Sequence, residues 1–169
     1  MEFVDTFLAI VSKRDTRRYA ARPIPDEIAR RILDAGRLAG SARNRQRWRF
    51  LLIESPAVRA RLAEAVYAPD NVRGAQLVIA IQSSASLDAG RCVQNMMLAA
   101  WSDGVASCPN GIADAKKARD VLGLTEDDPV AIILTFGYPA TTRDPMRSTP
   151  EEWSARADRK PLDELVERL

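Results

Sequence analysis

The spacing of apolar residues along the chain predicts where the first two helices lie. Apolar positions recur at helical spacing between Glu2 and Lys13, which predicts an amphipathic first helix. A second helix is predicted to begin at Pro25, with Asp26 and Glu27 in its first turn, where negative charge favours the helix dipole. The apolar stripe of this second helix consists of Ile28, Ile32, Leu33, Ala35, Leu38 and Ala39.

Three extended segments and further helices follow. Trp48–Glu54 and Val130–Tyr138 are predicted strands, and the continuous apolar run Gln76–Gln82 is typical of a strand that is buried on both faces. Further helices are predicted over Ala57 to about Tyr67, Ser86–Ser102 (ending at Gly104), Ala115–Leu122, and from about Leu162. The order of elements predicts an α+β or α/β three-layer fold with a mixed sheet, formed by residues 1–169 as one domain.

Two segments have no regular periodicity. The segment SCPNGIAD, starting at Ser107, has the composition of a turn and is predicted to be a short loop. Residues 139–158 are polar and contain prolines, and they are predicted to be irregular. With few apolar anchors, this tail is not expected to pack on its own subunit alone. It is either an arm that reaches over a partner or a loosely attached terminus.

Charge is unevenly distributed although the net charge is only +2 over 169 residues. Residues 1–50 carry twelve Lys and Arg against six Asp and Glu, whereas residues 120–169 carry six against eleven. This asymmetry indicates either an electropositive site built from the N-terminal part, or two ends that neutralise each other across a fold or a dimer. The two cysteines fit buried reduced thiols, and no apolar run reaches membrane-spanning length, so a cytoplasmic protein without a membrane partner is expected.

The chain contains no histidine, and this excludes several kinds of active site. Catalysis by Ser-His-Asp or Cys-His and the commonest zinc sites all require histidine, so no metal site is predicted. Neither a Walker-type loop nor a G-x-G-x-x-G sequence is present. If the protein is an enzyme, a cofactor is expected to carry the chemistry.

Four segments contain the residues most suited to binding or catalysis: Lys13–Tyr19 (KRDTRRY), Ser41–Trp48 (SARNRQRW), Ser107–Ile112 (SCPNGI) and Arg159–Val166 (RKPLDELV). Each alone fits a solvated surface or an ordinary turn. In this order and at this spacing, they resemble the nitroreductase family of flavin-dependent oxidoreductases over essentially the whole chain. Arg14 to Arg18 stands where the family has an R-x-S-x-R-like sequence, and the helix DAGRCVQNMMLAA resembles the family's central dimer helix.

The resemblance implies a three-layer α/β/α fold with a mostly antiparallel mixed sheet, and a homodimer with exchanged C-terminal arms. It also implies FMN as cofactor and NAD(P)H as electron donor. Two-step transfer of hydride to a nitroaromatic, a quinone or a similar small acceptor would follow. The implied cofactor-binding residues are Arg14, Asp15, Thr16, Arg18, Ser41, Ala42, Asn44, Gln46, Pro109, Asn110, Gly111, Arg159 and Lys160.

The roles implied for these residues are consistent with their chemistry. Arg14, Arg18 and Arg159 would form charge-assisted bonds with the phosphate. The catalytic groups would be the backbone N–H groups of Gly111 and Ile112, facing flavin N5 and O4, where they would stabilise the charge of the reduced ring. Gly111 would let the backbone approach the ring closely.

The sequence departs from the family pattern at two positions. Arg47 replaces an expected proline, which predicts a different loop path before Trp48, and Asp15 places a carboxylate among phosphate ligands.

Two other functions are considered. The segment Ser41–Phe50 also resembles nitroreductase-like proteins of deazaflavin-cofactor biosynthesis, which would keep the fold and change the reaction. A module that binds nucleic acid through arginines interleaved with aromatic residues is disfavoured, because the total charge is nearly balanced and the aromatic residues lead into a buried strand.

Overall fold

The computed structural model describes residues 5–169, so residues 2–4 of the first predicted helix lie outside the described part. The helices are α1 (Thr6–Ser12), α2 (Asp26–Arg37), α3 (Pro56–Ala63), α4 (Pro69–Gly74), α5 (Ser86–Ser102), α6 (Ala115–Leu122) and α7 (Pro150–Ala155). The strands are β1 (Arg49–Leu52), β2 (Leu77–Gln82), β3 (Ala106–Asn110) and β4 (Val130–Gly137).

The strands form one sheet in the order β1-β2-β4-β3, and neighbouring strands are antiparallel throughout. The parallel pairing within the described residues is the isolated bridge between Asp15 and Ser107. The central strand β2 is buried along Leu77–Ile81, as its continuous apolar run predicts. Edge strand β1 lies at one side of the sheet and edge strand β3 at the other.

Helices cover both faces of this sheet. On one face, Ile32 of α2 and Met96 of α5 pack on Ile79 and Phe136. On the other face, Leu62 of α3, Val72 of α4 and Ala118 of α6 pack with Ile133 and other inward-facing sheet residues. The α+β class and the three-layer arrangement predicted from the sequence are therefore confirmed.

Helix α5 ends where a glycine permits it to end. Gly104 has a φ of +73°, a left-handed conformation that glycine adopts without steric cost. The N–H of Val105 then donates to the carbonyl of Ala100 at 2.9 Å, and the chain turns directly into β3. The prediction that Gly104 terminates this helix agrees with the structure.

The prediction for residues 139–158 is wrong in part, because this segment contains helix α7. Thr149 caps α7 in a reciprocal capping box with Glu152, and Pro150 occupies the first turn. Trp153 is only 9% exposed and donates from Nε1 to the carbonyl of Pro145 at 2.8 Å. One aromatic anchor on a well-capped short helix thus suffices to seat this part of the tail beside α1 of its own chain.

Other corrections concern local boundaries. The segment predicted as a loop from Ser107 contributes most of edge strand β3, including Pro109 and Asn110. The predicted helix Ala57 to Tyr67 ends at Ala63, and α4 was not predicted. The predicted helix near Leu162 is one 3-10 turn, Leu162–Glu164. None of the helices described within residues 5–169 is long and apolar enough to cross a membrane.

Candidate functional site

The basic segment Lys13–Tyr19 runs alongside β3. The N–H of Thr16 donates to the carbonyl of Ser107 at 3.0 Å, next to the parallel bridge between Asp15 and Ser107. The segment then passes the end of β4, and Tyr19 forms an antiparallel bridge with Pro139, two residues beyond that strand. Two of the four predicted segments, distant in sequence, are therefore held together by backbone hydrogen bonds.

The turn Cys108–Ile112 offers backbone donors at the end of β3. The hydrogen bonds of the described residues leave the N–H groups of Gly111 and Ile112 without an acceptor. The adjacent Val66–Ile112 bridge fixes the turn, since the N–H of Tyr67 donates to the carbonyl of Gly111 at 3.1 Å. A Cβ on Gly111 would lie 3.2 Å from Cδ2 of Tyr67, so the absence of a side chain here keeps the turn open.

A hollow of about 420 Å³ opens beside the basic segment. Arg17, Arg18 and Arg143 are exposed around it and form no ion pair within the described residues. The carboxylate of Asp15 is held by Lys13 at 2.5 Å, which offsets its negative charge. Planar guanidinium groups bind phosphate and carboxylate oxygens through paired donors, so the hollow is suited to an anion.

The hydroxyl of Thr16 is an unsatisfied buried group in this region. Thr16 is 8% exposed, and its Oγ1 has no hydrogen-bond partner among the described residues. A buried hydroxyl that is left unpaired costs free energy, so such groups occur where a ligand or ordered water completes them. The hydroxyl is therefore available to a ligand, and the cofactor-binding role that the resemblance implies for Thr16 stays a prediction.

Arg14 does not line the hollow. Its guanidinium donates to the carbonyls of Val11 (2.6 Å), Lys13 (2.9 Å) and Trp153 (3.3 Å), and it lies 5.7 Å from the centre of the Trp153 ring. Three of its five N–H donors are used at most, so two remain for an anion. Within the chain, Arg159 donates to the carbonyl of Ala157, and neither Arg159 nor Lys160 lines the hollow.

The loop from Ser41 to Arg47 has an unusual backbone. Arg43, Asn44 and Gln46 have φ values of 54°, 52° and 48°, a left-handed conformation that costs side-chain-bearing residues free energy. The N–H of Gln46 donates to Oγ of Ser41 at 2.9 Å, and Nε2 of Gln46 donates to Oδ1 of Asn44 at 3.1 Å. The predicted site residues Ser41, Asn44 and Gln46 therefore stabilise the conformation of the loop. Together with Ala42 they form a solvent-facing cluster.

This loop lies far from the basic segment in the same chain. Ser83 Oγ donates to the carbonyl of Arg47 at 2.7 Å, at the end of β2 whose Gln82 pairs with Val130. Thr16 is bonded to Ser107, which pairs with Phe136 at the opposite end of β4. The two positions are separated by roughly 20 Å along β4, and they lie at opposite edges of the sheet. One chain does not bring all the predicted cofactor-binding residues together.

Within residues 5–169 the Cys, Asp and Glu side chains form no metal site, and burial disfavours the thiolates of both cysteines. Burial raises the pKa of the Cys108 thiol above its ordinary value, with a smaller contribution from the charge of Asp15, so the thiolate is not favoured at neutral pH. Burial also raises the pKa of Cys92 to about 11. Within residues 5–169 no group of three Cys, Asp or Glu side chains is arranged to hold a metal ion.

Sequence reasoning missed two residues at this site. Tyr67 is 77% exposed and lies against Gly111, where its ring borders the turn. Asn71 of α4 is buried, and its Nδ2 donates to the carbonyl of Thr16 at 3.5 Å. Neither stands in one of the four predicted segments. A polar Asn beside the apolar Val72 was the available signal, and it is a weak one.

Comparison with known proteins finds similarity to one family. The model of the nitroreductase family matches residues 10–84 and 68–138. The chain is 28% identical to a protein of Archaeoglobus fulgidus that is named for NADH dehydrogenase and NAD(P)H nitroreductase activity, covering 80% of this chain and 86% of the relative. It is 26% identical to a protein of Thermus thermophilus named NADH dehydrogenase, covering 88% and 94%.

The fold comparison covers nearly the whole chain. A crystal structure from Desulfovibrio desulfuricans, described as that of a nitroreductase in complex with FMN, superposes with a TM-score of 0.81. The two sequences are 29% identical, and the match covers 97% of this chain and 96% of the other.

Proposed function

The chain belongs to the nitroreductase family, and from this membership we propose that it is an FMN-dependent oxidoreductase that uses NAD(P)H as electron donor. The observation that carries the proposal is the hydrogen bonding of the Thr16 segment alongside β3. The arginines of this segment and the turn at Gly111 lie along the same edge strand, and the N–H groups of Gly111 and Ile112 have no acceptor among the described residues. The FMN complex of the relative from Desulfovibrio desulfuricans supports this choice of cofactor.

The residues present fit FMN. The hollow at Arg17 and Arg18 offers cationic donors for its phosphate, and the buried hydroxyl of Thr16 is available to a polar group of the ribityl chain or the ring edge. The N–H groups of Gly111 and Ile112 would face N5 and O4 of the ring and would stabilise the negative charge of its reduced form. These donors are held by the Val66–Ile112 bridge before any ligand binds, so little reorganisation is required.

We propose that the protein acts as a homodimer. The loop containing Ser41 and Asn44 lies at the sheet edge opposite to Thr16, so a second copy must supply this loop if it is to contact the same cofactor. The C-terminal residues beyond Ala157 are exposed in the isolated chain and include the predicted phosphate ligands Arg159 and Lys160. Exchange of this arm would bring them to the partner's site.

When bound, FMN would accept hydride from the nicotinamide and pass it to a nitroaromatic, a quinone or a similar small acceptor that binds in the same place, in a two-step exchange. The protein's part is to position the ring and to admit each substrate in turn over the open turn at Gly111. The exposed ring of Tyr67 provides an aromatic surface beside that position for a planar acceptor. A single domain over residues 1–169, a cytoplasmic location and the lack of nucleic-acid binding remain predictions.

The proposal is tested by the colour and redox response of the purified protein. We expect a yellow protein that releases FMN on denaturation and whose visible absorbance bleaches anaerobically when NADH or NADPH is added. Steady-state rates should give parallel double-reciprocal lines when donor and acceptor are varied together, as a two-step exchange requires. A flavin that stays oxidised with both donors would eliminate the NAD(P)H oxidoreductase, and colourless protein that does not bind added FMN would eliminate the flavoprotein.

The phosphate ligands are tested by removing charge from both ends of the chain. The triple variant Arg14→Ala/Arg18→Ala/Arg159→Ala removes the three implied phosphate ligands, and it is expected to lose FMN while remaining folded by circular dichroism. Arg61→Ala serves as the control, because Arg61 is an exposed arginine on α3 outside the proposed site. Stoichiometric FMN in the triple variant would assign the phosphate to other residues, and Arg17 and Arg143 of the hollow would be the next residues to substitute.

A further inference from the structure

A buried hydrogen-bond cluster lies directly behind the proposed flavin site. Its centre is Thr135 of β4, which is fully buried. Oγ1 of Thr135 lies 2.6 Å from Oδ1 of Asn71, 3.0 Å from the hydroxyl of Tyr19, and 3.1 Å from Nδ2 of Asn110. These three partners come from α4, from the end of the basic segment, and from β3. One hydroxyl thus joins the three parts of the chain that form the site.

The hydrogen-bonding capacity of this hydroxyl is fully used. A threonine hydroxyl donates one hydrogen and accepts two. Donation to Asn71 is the shortest contact, with the carbonyl of Cys108 at 3.1 Å as the alternative acceptor, and Tyr19 and Asn110 are then the two donors. Burial raises the pKa of Tyr19 to about 12, so its phenol keeps the proton that it donates.

The partners differ in how much they depend on Thr135. The hydroxyl of Tyr19 also reaches the backbone carbonyl of Thr135 at 3.2 Å, and Asn110 also donates to the carbonyls of Cys108 and Ile133. Within the described residues, Oδ1 of Asn71 has the Thr135 hydroxyl as its one donor. The same Asn71 side chain donates to the carbonyl of Thr16. Loss of the Thr135 hydroxyl would therefore act chiefly through Asn71 on Thr16.

We propose that Thr135 is a positioning residue for the flavin site, which fixes Thr16 and the turn at Gly111 relative to each other through Asn71 and Asn110. This inference rests on the proposed function, because it takes FMN as the ligand of that site. Thr135 itself faces the helical layer of α3, α4 and α6 and is not expected to contact the cofactor. Its hydroxyl sets the geometry into which the cofactor binds.

The first test compares Thr135→Val with Thr135→Ser. Valine has nearly the same shape and lacks the hydroxyl, so Oδ1 of Asn71 is left buried without a donor. We expect the dissociation constant for FMN to rise at least about five-fold in the valine variant, the ratio that corresponds to about 1 kcal/mol. The serine variant should remain within about two-fold of the unmodified protein, because the hydroxyl is restored.

The second test separates positioning from general stability. The double variant Thr135→Val/Asn71→Leu makes both sides of the broken hydrogen bond apolar, and such a pair can be nearly neutral for stability. We expect its free energy of unfolding to recover toward that of the unmodified protein, while FMN binding stays weak because the carbonyl of Thr16 has lost its donor, Asn71. Ile81→Val in β2 is the matched control, because Ile81 is fully buried and its neighbours in the sheet, Phe50 and Ile132, lie away from the cluster.

A cofactor-free measurement keeps the inference testable on its own. Amide hydrogen exchange at Thr16, whose N–H donates to Ser107, should accelerate in the Thr135→Val protein and not in the Ile81→Val protein. Unchanged exchange at Thr16, or FMN binding that follows stability alone across the four variants, would overturn the positioning role. Failure of the unmodified protein to bind FMN would count against the proposed function, while the exchange result would still decide whether Thr135 orders this segment.

Discussion

At the scale of single residues, the cluster at Thr135 depends on a glycine that leaves room for Tyr19. A Cβ built on Gly137 would lie 2.6 Å from Cγ of Tyr19 and 2.7 Å from its Cβ, so an alanine cannot be accepted without moving the ring. The ring is held by its hydroxyl at Thr135 and by the Tyr19–Pro139 bridge, and has little freedom to move. The free space at Gly137 is therefore part of the site's construction.

We expect Gly137→Ala to lower the free energy of unfolding by about 2 kcal/mol, because overpacking at a rigid position carries a cost of this order. Gly74→Ala is the matched control, since nothing lies within 4 Å of a Cβ at this position and the residue lies at the end of helix α4. The control should be neutral or slightly stabilising. Urea denaturation of both variants measures the difference, and equal stabilities would contradict the packing described for Tyr19.

Tyr19 also predicts how stability responds to alkaline pH. Its pKa is raised from 10.0 to about 12, chiefly because the phenolate would be buried. Below pH 10 the phenol is protonated in both states and the contribution is fully present, and it is lost as the pH rises through 12 because the unfolded state ionises first. We expect Tyr19→Phe to remove about 2 kcal/mol of the decline in unfolding free energy between pH 10 and 12. Denaturation at several pH values with both proteins measures this, and identical pH slopes would contradict the burial of the phenol.

At the scale of elements, patterns that arise from burial were predictable and those that depend on distant pairing were not. The apolar run of β2 and the nearly all-round apolar helix α5 predicted their own positions closely. Strand β3 contains Pro109 and Asn110, which are turn-forming residues, and its extended form comes from pairing with β4 at the sheet edge, where a proline is tolerated. Its local sequence therefore predicted a loop.

The same distinction applies to the candidate site. The four segments were recognised as one site because together they resemble a family. In the structure, Thr16 of the first segment is hydrogen-bonded to Ser107 of the third. Asn71 and Thr135 were not found, because a buried Asn on a short helix and a Thr in an apolar strand gain their importance only from a contact 64 residues apart in sequence.

Helix α7 connects an element's stability to the basic segment. Its capping box at Thr149 holds the first turn, and the carbonyl of Trp153 accepts from Arg14. We expect Thr149→Ala to lower the unfolding free energy by about 1 kcal/mol and to weaken FMN binding, because Arg14 loses part of its support. Asp114→Ala, which removes an equivalent cap from α6, should cost similar stability and leave FMN affinity unchanged. Equal FMN affinities in the two variants would separate α7 from the site.

At the scale of the whole molecule, the uneven charge and the exposed tail are both consistent with the proposed dimer. The tail after Ala157 exposes Leu162 (73%), Leu165 (64%) and Val166 (53%). Contiguous exposed apolar side chains of this kind mark interaction surfaces. Apolar side chains of α1, Phe7 and Ile10, are likewise exposed in the isolated chain. Acidic C-terminal and basic N-terminal regions would attract each other across a dimer.

We expect Leu162→Asp/Val166→Asp to convert a dimer into a monomer and to reduce FMN retention in the same preparation, because the arm would carry both the interface and Arg159. Light scattering coupled to size exclusion and the visible absorbance of the eluting peak measure the two effects together. Glu167→Gln tests the same arm without adding charge to its apolar side and should change neither. A monomeric protein that retains stoichiometric FMN would show that one chain completes the site and that the loop at Asn44 has another role. A stable dimer in the aspartate variant would place the interface elsewhere, and α1 and α5 would be the surfaces to substitute next.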